Sequence, residues 1–268
     1  MTVLPRFSLL ALALLLLLPR GGSGAGKKDS PGPSGSGVAV VELFTSQGCS
    51  SCPPADRLLS RLARDAKYQG KVIPLSFHVD YWNYIGWTDP FSSARWSERQ
   101  KAYARVFKSN RIYTPQVVVN GRTEGVGSQE RVVLGKISEA LADEPAGRVT
   151  LAVSPPTADG HLQVKVGAKL IEGGSGPLDL WVAVYQSGLE TPVGSGENAS
   201  KKLRNDHVVR RLEKAFTLPA TAGAEKSTEL TLGLDKRWKT SDLGVAAFLQ
   251  DPATMAIYGA AAREVGGR

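Results

Sequence analysis

The stretch at residues 38–62, VAVVELFTSQGCSSCPPADRLLSRL, decides the fold. The apolar run that opens it is interrupted only by Glu42, which predicts a strand buried on both faces. From Ala55 onward, apolar residues recur with the i, i+3, i+4, i+7 spacing of a helix that buries one face. Pro53 and Pro54 lack amide hydrogens and fit only the first turn of a helix. The stretch is therefore predicted to be a strand, a polar turn and a helix that starts close to Cys52.

The polar turn contains Cys49 and Cys52, which are the only two cysteines of the chain. A helix N-terminus carries about half a positive charge, which favours the thiolate form of a cysteine placed there. A C-x-x-C sequence at a strand-to-helix turn is typical of a thioredoxin-like redox site. We therefore predict a catalytic Cys49–Cys52 disulfide, in which Cys49 is the attacking thiol and Cys52 resolves the intermediate. This interpretation requires both sulfur atoms to lie at the helix start and within reach of solvent.

A non-catalytic function remains as the alternative: a secreted binding or structural module whose Cys49–Cys52 bridge is inert. In the chain-entropy model, a disulfide that closes a loop of about four residues stabilises by roughly 2 kcal/mol, against about 3 kcal/mol for a 15-residue loop. So short a bridge is a poor structural staple, which favours redox chemistry. A third possibility is that the C-terminal half binds a partner on which the redox half acts.

Composition argues against several other classes of function. The net charge of +8 in 268 residues is spread thinly along the chain, and no basic stripe with interleaved aromatic residues predicts nucleic-acid binding. A zinc site needs about four ligands, whereas the three histidines lie far apart in sequence and only two cysteines are present. Thiol–disulfide exchange needs no metal and no organic cofactor. We therefore expect no cofactor, although an external redox partner has to reset the cysteine pair.

The N-terminal residues predict export. An apolar run follows Arg6 and ends at Pro19, which is too short to span a membrane but suits a secretory signal peptide at residues 1–25. An uncleaved N-terminal anchor is the alternative. Residues 26–37 are rich in Gly and Ser and predict a disordered linker. We therefore expect a secreted or lumenal protein with no membrane association beyond the signal peptide.

Residues 38–147 predict the element order β-α-β-α-β-β-α. Asp80 and Trp82 follow the second predicted strand, at the sheet end from which the cysteine turn also emerges, and are candidate neighbours of the disulfide. The alternative for Trp82 is that it caps the core. Thr114 and Pro115 precede a pair of strands joined by Asn-Gly, the strongest short signal for a hairpin.

Four blocks carry a family resemblance: ELFTSQGCSSCPPAD at 42–56, FHVDYWNYIGWTDPF at 77–91, TPQVVVNG at 114–121 and GSGENASKKLRNDHVVR at 194–210. Together they resemble a secreted thioredoxin-like family of unknown function. The resemblance implies a thioredoxin fold in which Pro115 is cis and Thr114 presents its backbone to an extended substrate beside the cysteines. It brings no established activity; protein thiols or disulfides are the substrates that the redox interpretation of the cysteine pair implies. Gln47-Gly48 before the first cysteine and Ser-Ser between the two depart from thioredoxin itself, so the direction of exchange stays open.

The pattern changes from residue 148 onward. Short alternating segments separated by Gly/Pro-rich turns predict six or seven strands, and residues 201–217 are ambiguous between strand and helix. The predicted fold class is thus an α/β thioredoxin-like domain at 38–147, followed by a mostly-β, sandwich-like domain at 148–268. Asn198-Ala199-Ser200 is an N-glycosylation sequon, which makes Asn198 a candidate glycosylation site.

Overall fold

Residues 1–2 and 37–266 are described by the computed structural model. The predicted signal peptide at 1–25 and linker at 26–37 therefore lie outside the described residues, apart from the first two residues and Gly37. Within the described part of the chain, no helix is both long and apolar enough to cross a membrane.

The first half of the described chain alternates strands and helices in the predicted order. Its elements are β1 (Ala39–Thr45), α1 (Pro53–Arg64), β2 (Val72–His78), a short 3₁₀ turn (Asn83–Ile85), α2 (Ala94–Val106), β3 (Gln116–Val119), β4 (Thr123–Val126) and α3 (Glu130–Ala142). The β3–β4 turn is the predicted Asn-Gly hairpin, because Asn120 and Gly121 both have positive φ angles.

The second half consists almost entirely of strands. They are β5 (Gly147–Val153), β6 (His161–Leu170), β7 (Leu178–Gln186), β8 (Leu189–Pro192), β9 (Lys202–Asn205), β10 (Val208–Leu218), β11 (Glu225–Gly233), β12 (Leu243–Gln250) and β13 (Ile257–Glu264). The ambiguous segment at 201–217 is thus resolved as strand rather than helix.

One eight-stranded sheet contains strands from both halves of the chain, in the order β13-β12-β7-β10-β2-β1-β3-β4. The halves meet where β10 pairs in parallel with β2 at Val208 and Ser76. The Ser76 amide also donates to the carbonyl of His207 at 2.8 Å. Segments 38–147 and 148–268, which were predicted as separate domains, therefore share one sheet. The N-terminal segment alone cannot reveal this, because the pairing joins residues more than a hundred positions apart.

A second sheet of three antiparallel strands, β11-β6-β5, packs against the C-terminal half of the large sheet. Alternate residues of β6 and β7 point into a shared apolar core, among them Leu162, Val164, Leu180 and Val182. This is the sandwich-like packing predicted for residues 148–268, except that one of its two sheets continues into the N-terminal half.

The helices cover the two faces of the large sheet next to β1. Leu58 and Leu62 of α1 and Val133 of α3 pack on one face. Trp96 and Tyr103 of α2 pack on the other. β1 is therefore covered on both faces, as its apolar sequence predicts. The turn that follows β1 leads directly into the N-terminus of α1.

Candidate functional site

The cysteine turn lies at the N-terminus of α1, as predicted. Cys52 is the residue that precedes the helix, and Pro53 and Pro54 occupy its first two positions. Cys49 and Cys52 form a disulfide with their Cα atoms 5.5 Å apart. The Cys52 amide donates to the Cys49 carbonyl at 3.2 Å, so the turn is continuous with the helix. The first requirement of the redox interpretation, a sulfur pair at a helix start, is met.

The second requirement, access to solvent, is not met in this conformation. Cys49 is 1% exposed and Cys52 is fully buried, whereas Ser50 and Ser51 between them are exposed. The prediction of a solvent-accessible sulfur pair is therefore wrong for the folded chain as described. A distant segment, which the local sequence cannot reveal, forms hydrogen bonds with the backbone of the turn.

Residues 187–207 join β7 to β10, and we call them the arm. The segment that contacts the turn is part of the arm. Strands β8 and β9 pair with each other inside the arm and belong to neither large sheet. At its tip, the Asn198 side-chain amide donates to the carbonyls of Gln47 and Cys49 at 2.8 and 3.0 Å. The Ser50 amide donates to the Glu197 carboxylate at 2.9 Å. The arm tip therefore closes over the backbone of the cysteine turn.

The position of Asn198 corrects the glycosylation prediction. Asn198 is fully buried, and its side-chain nitrogen, the atom that would carry a glycan, donates both hydrogen bonds to the cysteine turn. A glycan on that nitrogen is incompatible with these contacts. The sequon marks a structural asparagine in the folded chain.

Thr114 and Pro115 lie next to the cysteine turn. The peptide bond between them is cis. The Thr114 carbonyl oxygen lies 3.9 Å from Cys49 Sγ, and the Pro115 carbonyl accepts a hydrogen bond from the Gly127 amide at 2.9 Å. The structure thus brings together the two sequence segments to which the prediction assigned catalysis and substrate binding.

Trp82 connects these two segments, whereas Asp80 has other partners. The Trp82 indole N–H donates to the Thr114 hydroxyl at 2.7 Å. A Cβ atom on Gly48 would lie 3.2 Å from the Trp82 Cβ, so Trp82 packs directly against the residue that precedes Cys49. Asp80 instead bonds the hydroxyl of Ser97 on α2 through both its amide and its carboxylate. Trp82 is placed at the site, and the contacts of Asp80 are with α2.

Gln47 was not predicted as a site residue, yet it makes the most contacts of the turn. Its side-chain nitrogen donates to Thr191 and Asn205 of the arm at 3.0 and 2.9 Å. Its side-chain oxygen accepts from the indole of Trp87 at 3.2 Å. Gln47 is 1% exposed, so these bonds replace the hydrogen bonds to water that a buried amide loses. Gln47 therefore connects the turn to the arm through its side-chain hydrogen bonds.

A buried pair of opposite charge lies beneath the turn. His78 Nδ1 and Asp89 Oδ2 are 2.7 Å apart with both side chains fully buried. Burial disfavours charge on each group, but the partners outweigh it, so the pKa of His78 is raised and the pKa of Asp89 is lowered. The same Asp89 oxygen accepts the Gln47 amide at 2.7 Å. The turn is therefore anchored from below by an ionised carboxylate.

A second buried carboxyl near the turn is that of Asp56, which lies on α1 one helical turn after Cys52. The Thr45 hydroxyl donates to it at 2.9 Å. Burial raises its pKa to about 6, against the opposing attraction of His78 and the hydrogen bond from Thr45. His78 Nε2 is buried and has no hydrogen-bond partner among the described residues. Polar groups thus occupy a layer between α1 and β2 where apolar side chains would pack at lower cost.

The described residues contain no group of three or more His, Cys, Asp and Glu side chains arranged to hold a metal ion. The two sulfur atoms lie at the start of α1 and beside the Thr114 backbone.

Comparisons with known proteins agree on the family. The family model described as a protein of unknown function, DUF1223, matches residues 40–250. A solved structure of protein AGR_C_4864 from Agrobacterium tumefaciens is similar over 87% of this chain and 96% of its own, with 30% sequence identity and a TM-score of 0.65. HBP35 of Porphyromonas gingivalis shares the fold at 16% identity and a TM-score of 0.64, over 86% of this chain and 76% of its own. None of the curated proteins matches at a significant level. The chain therefore belongs to the DUF1223 family of proteins of unknown function.

Proposed function

We propose that this chain is an exported thiol–disulfide exchange protein that acts through Cys49 and Cys52. The observation that carries the proposal is the position of the disulfide, at the start of α1 and 3.9 Å from the Thr114 carbonyl. A helix start stabilises the thiolate that such chemistry requires. The element order of residues 39–142 supports a thioredoxin-like N-terminal part.

The exchange has two steps. In the reduced protein, the Cys49 thiolate attacks one sulfur of a substrate disulfide and expels the other sulfur as a thiolate, which leaves a mixed disulfide. The Cys52 thiolate then attacks Cys49 Sγ and expels the second substrate thiolate. The protein ends with the Cys49–Cys52 disulfide seen here, and an external dithiol reduces it again. The same steps in reverse oxidise a substrate dithiol.

The role proposed for Thr114 and Pro115 is to hold the substrate. Trp82 fixes the Thr114 side chain through its indole N–H, which leaves the Thr114 backbone facing Cys49. An extended substrate strand bound along this backbone would bring its disulfide to Cys49 Sγ. The signal peptide predicted at 1–25 supports a secreted or lumenal location, a compartment where protein disulfides occur.

The second candidate is a non-catalytic secreted module with an inert bridge, and one observation favours it. Cys49 and Cys52 are 1% and 0% exposed, which is the environment of a structural disulfide. The first candidate therefore requires the arm to move before exchange.

Turnover of a protein disulfide separates the two candidates. We expect the full chain to reduce insulin disulfides in the presence of dithiothreitol, and we expect Cys49→Ser to abolish this activity. Cys52→Ser leaves the first step intact and should trap a mixed disulfide with the substrate on Cys49. A folded wild-type protein without activity, together with a Cys52→Ser variant that traps nothing, would support the inert bridge.

Pro115→Ala tests the substrate-binding role. We expect a slower turnover with a smaller relative change in stability, because Pro115 lies beside the reacting sulfur. Equal losses of activity and stability would assign Pro115 a packing role instead. Circular dichroism and denaturant unfolding of each variant provide the control for folding.

A further inference from the structure

The connection between β7 and β10 is much longer than the geometry of the sheet requires. The two strands are antiparallel neighbours, so a hairpin loop of about two to five residues could join them. The chain instead uses the whole arm, residues 187–207, with its own β8–β9 ribbon. Loops of this length within a folded unit commonly serve a function. Here the excursion ends on the cysteine turn.

The arm tip engages the cysteine turn through backbone atoms. Asn198 donates to two carbonyls of the turn, and Glu197 accepts the amide of Ser50. Lys201 donates from Nζ to the Asn198 side-chain oxygen at 2.9 Å, which directs the amide nitrogen towards the turn.

Glu197 differs from Asn198 in exposure and charge. Its side chain is exposed, and the hydrogen bond from Ser50 lowers its pKa, so the carboxylate stays ionised at neutral pH. It lies within hydrogen-bonding distance of the turn, at the residue that follows Cys49. The Glu197 carboxylate therefore holds a negative charge against the residue that follows Cys49.

We infer that the arm is a gate on the Cys49–Cys52 disulfide, in which Asn198 holds the gate closed and the Glu197 carboxylate selects against anionic thiols. The inference deepens the proposed function, because it names what controls access to the same disulfide. It predicts slow reduction in the closed state and a preference for thiols that carry positive charge. The net charge of the whole chain, +8, would favour anionic reagents, so a preference for cations has to arise locally.

The test measures how fast three small thiols reduce the disulfide in the full chain: cysteamine, 2-mercaptoethanol and 3-mercaptopropionate, which are cationic, neutral and anionic. A reagent thiolate attacks Cys49 Sγ and releases the Cys52 thiolate, and a second reagent thiolate then attacks the mixed disulfide and releases Cys49. Rates are compared at equal thiolate concentration. For the wild type we expect cysteamine to react fastest and mercaptopropionate slowest at low salt, with the three rates converging at about 1 M salt.

Two variants and a control assign the effect. Asn198→Ala should raise all three rates together, by about tenfold or more. Glu197→Gln should raise the rate with mercaptopropionate relative to 2-mercaptoethanol by about fivefold, the Coulomb factor for two unit charges about 4 Å apart in water. Glu190→Gln is the matched control, because Glu190 is an exposed arm carboxylate paired with Lys202 away from the tip. We expect Glu190→Gln to leave the order of the rates unchanged.

Equal rates for all three reagents with the wild-type protein would overturn the charge selection, and no variant is needed for that comparison. A folded Asn198→Ala protein that is reduced no faster than the wild type would overturn the gate. If Asn198→Ala does not fold, hydrogen exchange at the Ser50 amide in the wild type and in Glu197→Gln replaces it, with faster exchange expected in the variant and equal exchange contradicting the gate. Reduction by small thiols does not require turnover of protein substrates, so the gate can hold even where the insulin assay rejects the proposed function.

Discussion

Asp56 gives the folded protein a pH dependence whose sign and size follow from its surroundings. Asp56 belongs to α1, and its burial raises its pKa to about 6 from the ordinary value of 3.8. A carboxyl with a raised pKa favours the fold while it is protonated. Its contribution is therefore fully present below about pH 3.8 and is lost as the pH rises through about 6. The two pKa values differ by about 2.2, and at about 1.4 kcal/mol for each unit of difference the loss is about 3 kcal/mol.

Asp56→Asn isolates this contribution. The asparagine keeps an oxygen that can accept the Thr45 hydroxyl but removes the titration. The assay is urea unfolding of both proteins from about pH 4 to pH 7.5, with the disulfide oxidised and the m-value monitored. As the pH rises over this range, we expect the free energy of unfolding of the variant to increase by about 2–3 kcal/mol relative to that of the wild type.

The matched control is Asp143→Asn, which removes an exposed carboxylate at the end of α3. It should change the free energy of unfolding by less than about 0.5 kcal/mol at every pH. A difference between Asp56→Asn and wild type that stays constant over the whole pH range would refute the reasoning, because Asp56 would then not titrate in this window.

Two further predictions concern other parts of the sheet. Burial lowers the pKa of His207 to about 4 from 6.5, so its contribution to stability is present above about pH 6.5 and is lost as the pH falls through about 4. Asparagine tolerates the φ of 53° at this position. In denaturant unfolding, His207→Asn should remove about 3 kcal/mol of the free energy of unfolding that the wild type loses between about pH 7 and pH 4. The same loss in the variant and in the wild type would contradict this. Gly121→Ala should destabilise by more than about 2 kcal/mol, because a Cβ there would lie 1.8 Å from the Met255 carbonyl oxygen. Gly135→Ala on α3 has no neighbour within 4 Å and should stabilise by about 0.5–1 kcal/mol in the same thermal or denaturant assay; equal effects of the two substitutions would contradict the close approach.

Local signals in the sequence predicted the features that depend on neighbouring residues. Pro53 and Pro54 set the start of α1, and Asn120-Gly121 formed the predicted hairpin. Each of these depends on backbone preferences or on side-chain periodicity within about ten residues. The position of the cysteine turn at a helix start therefore follows from residues 38–62 alone.

Contacts between distant residues were beyond this kind of prediction. The arm reaches the turn from about 150 positions away, and Asn198 there was interpreted as a surface sequon. Gln47, His78 and Asp89 are polar residues that sequence alone would place at the surface, because burial of such groups is unusual unless they are paired. Their pairing becomes visible only when β2, the turn and the arm come together. The shared eight-stranded sheet is a similar case, since it depends on one short pairing between β2 and β10.

The reduction potential of the Cys49–Cys52 pair tests the central claim most directly. It is measured by equilibrating the full chain with defined ratios of oxidised and reduced thiol buffers and counting free thiols. An exchange-competent pair is predicted to have a potential within the range of known dithiol oxidoreductases, between about −120 and −270 mV. A potential below about −300 mV would show that the disulfide is a permanent structural bond and would contradict the account.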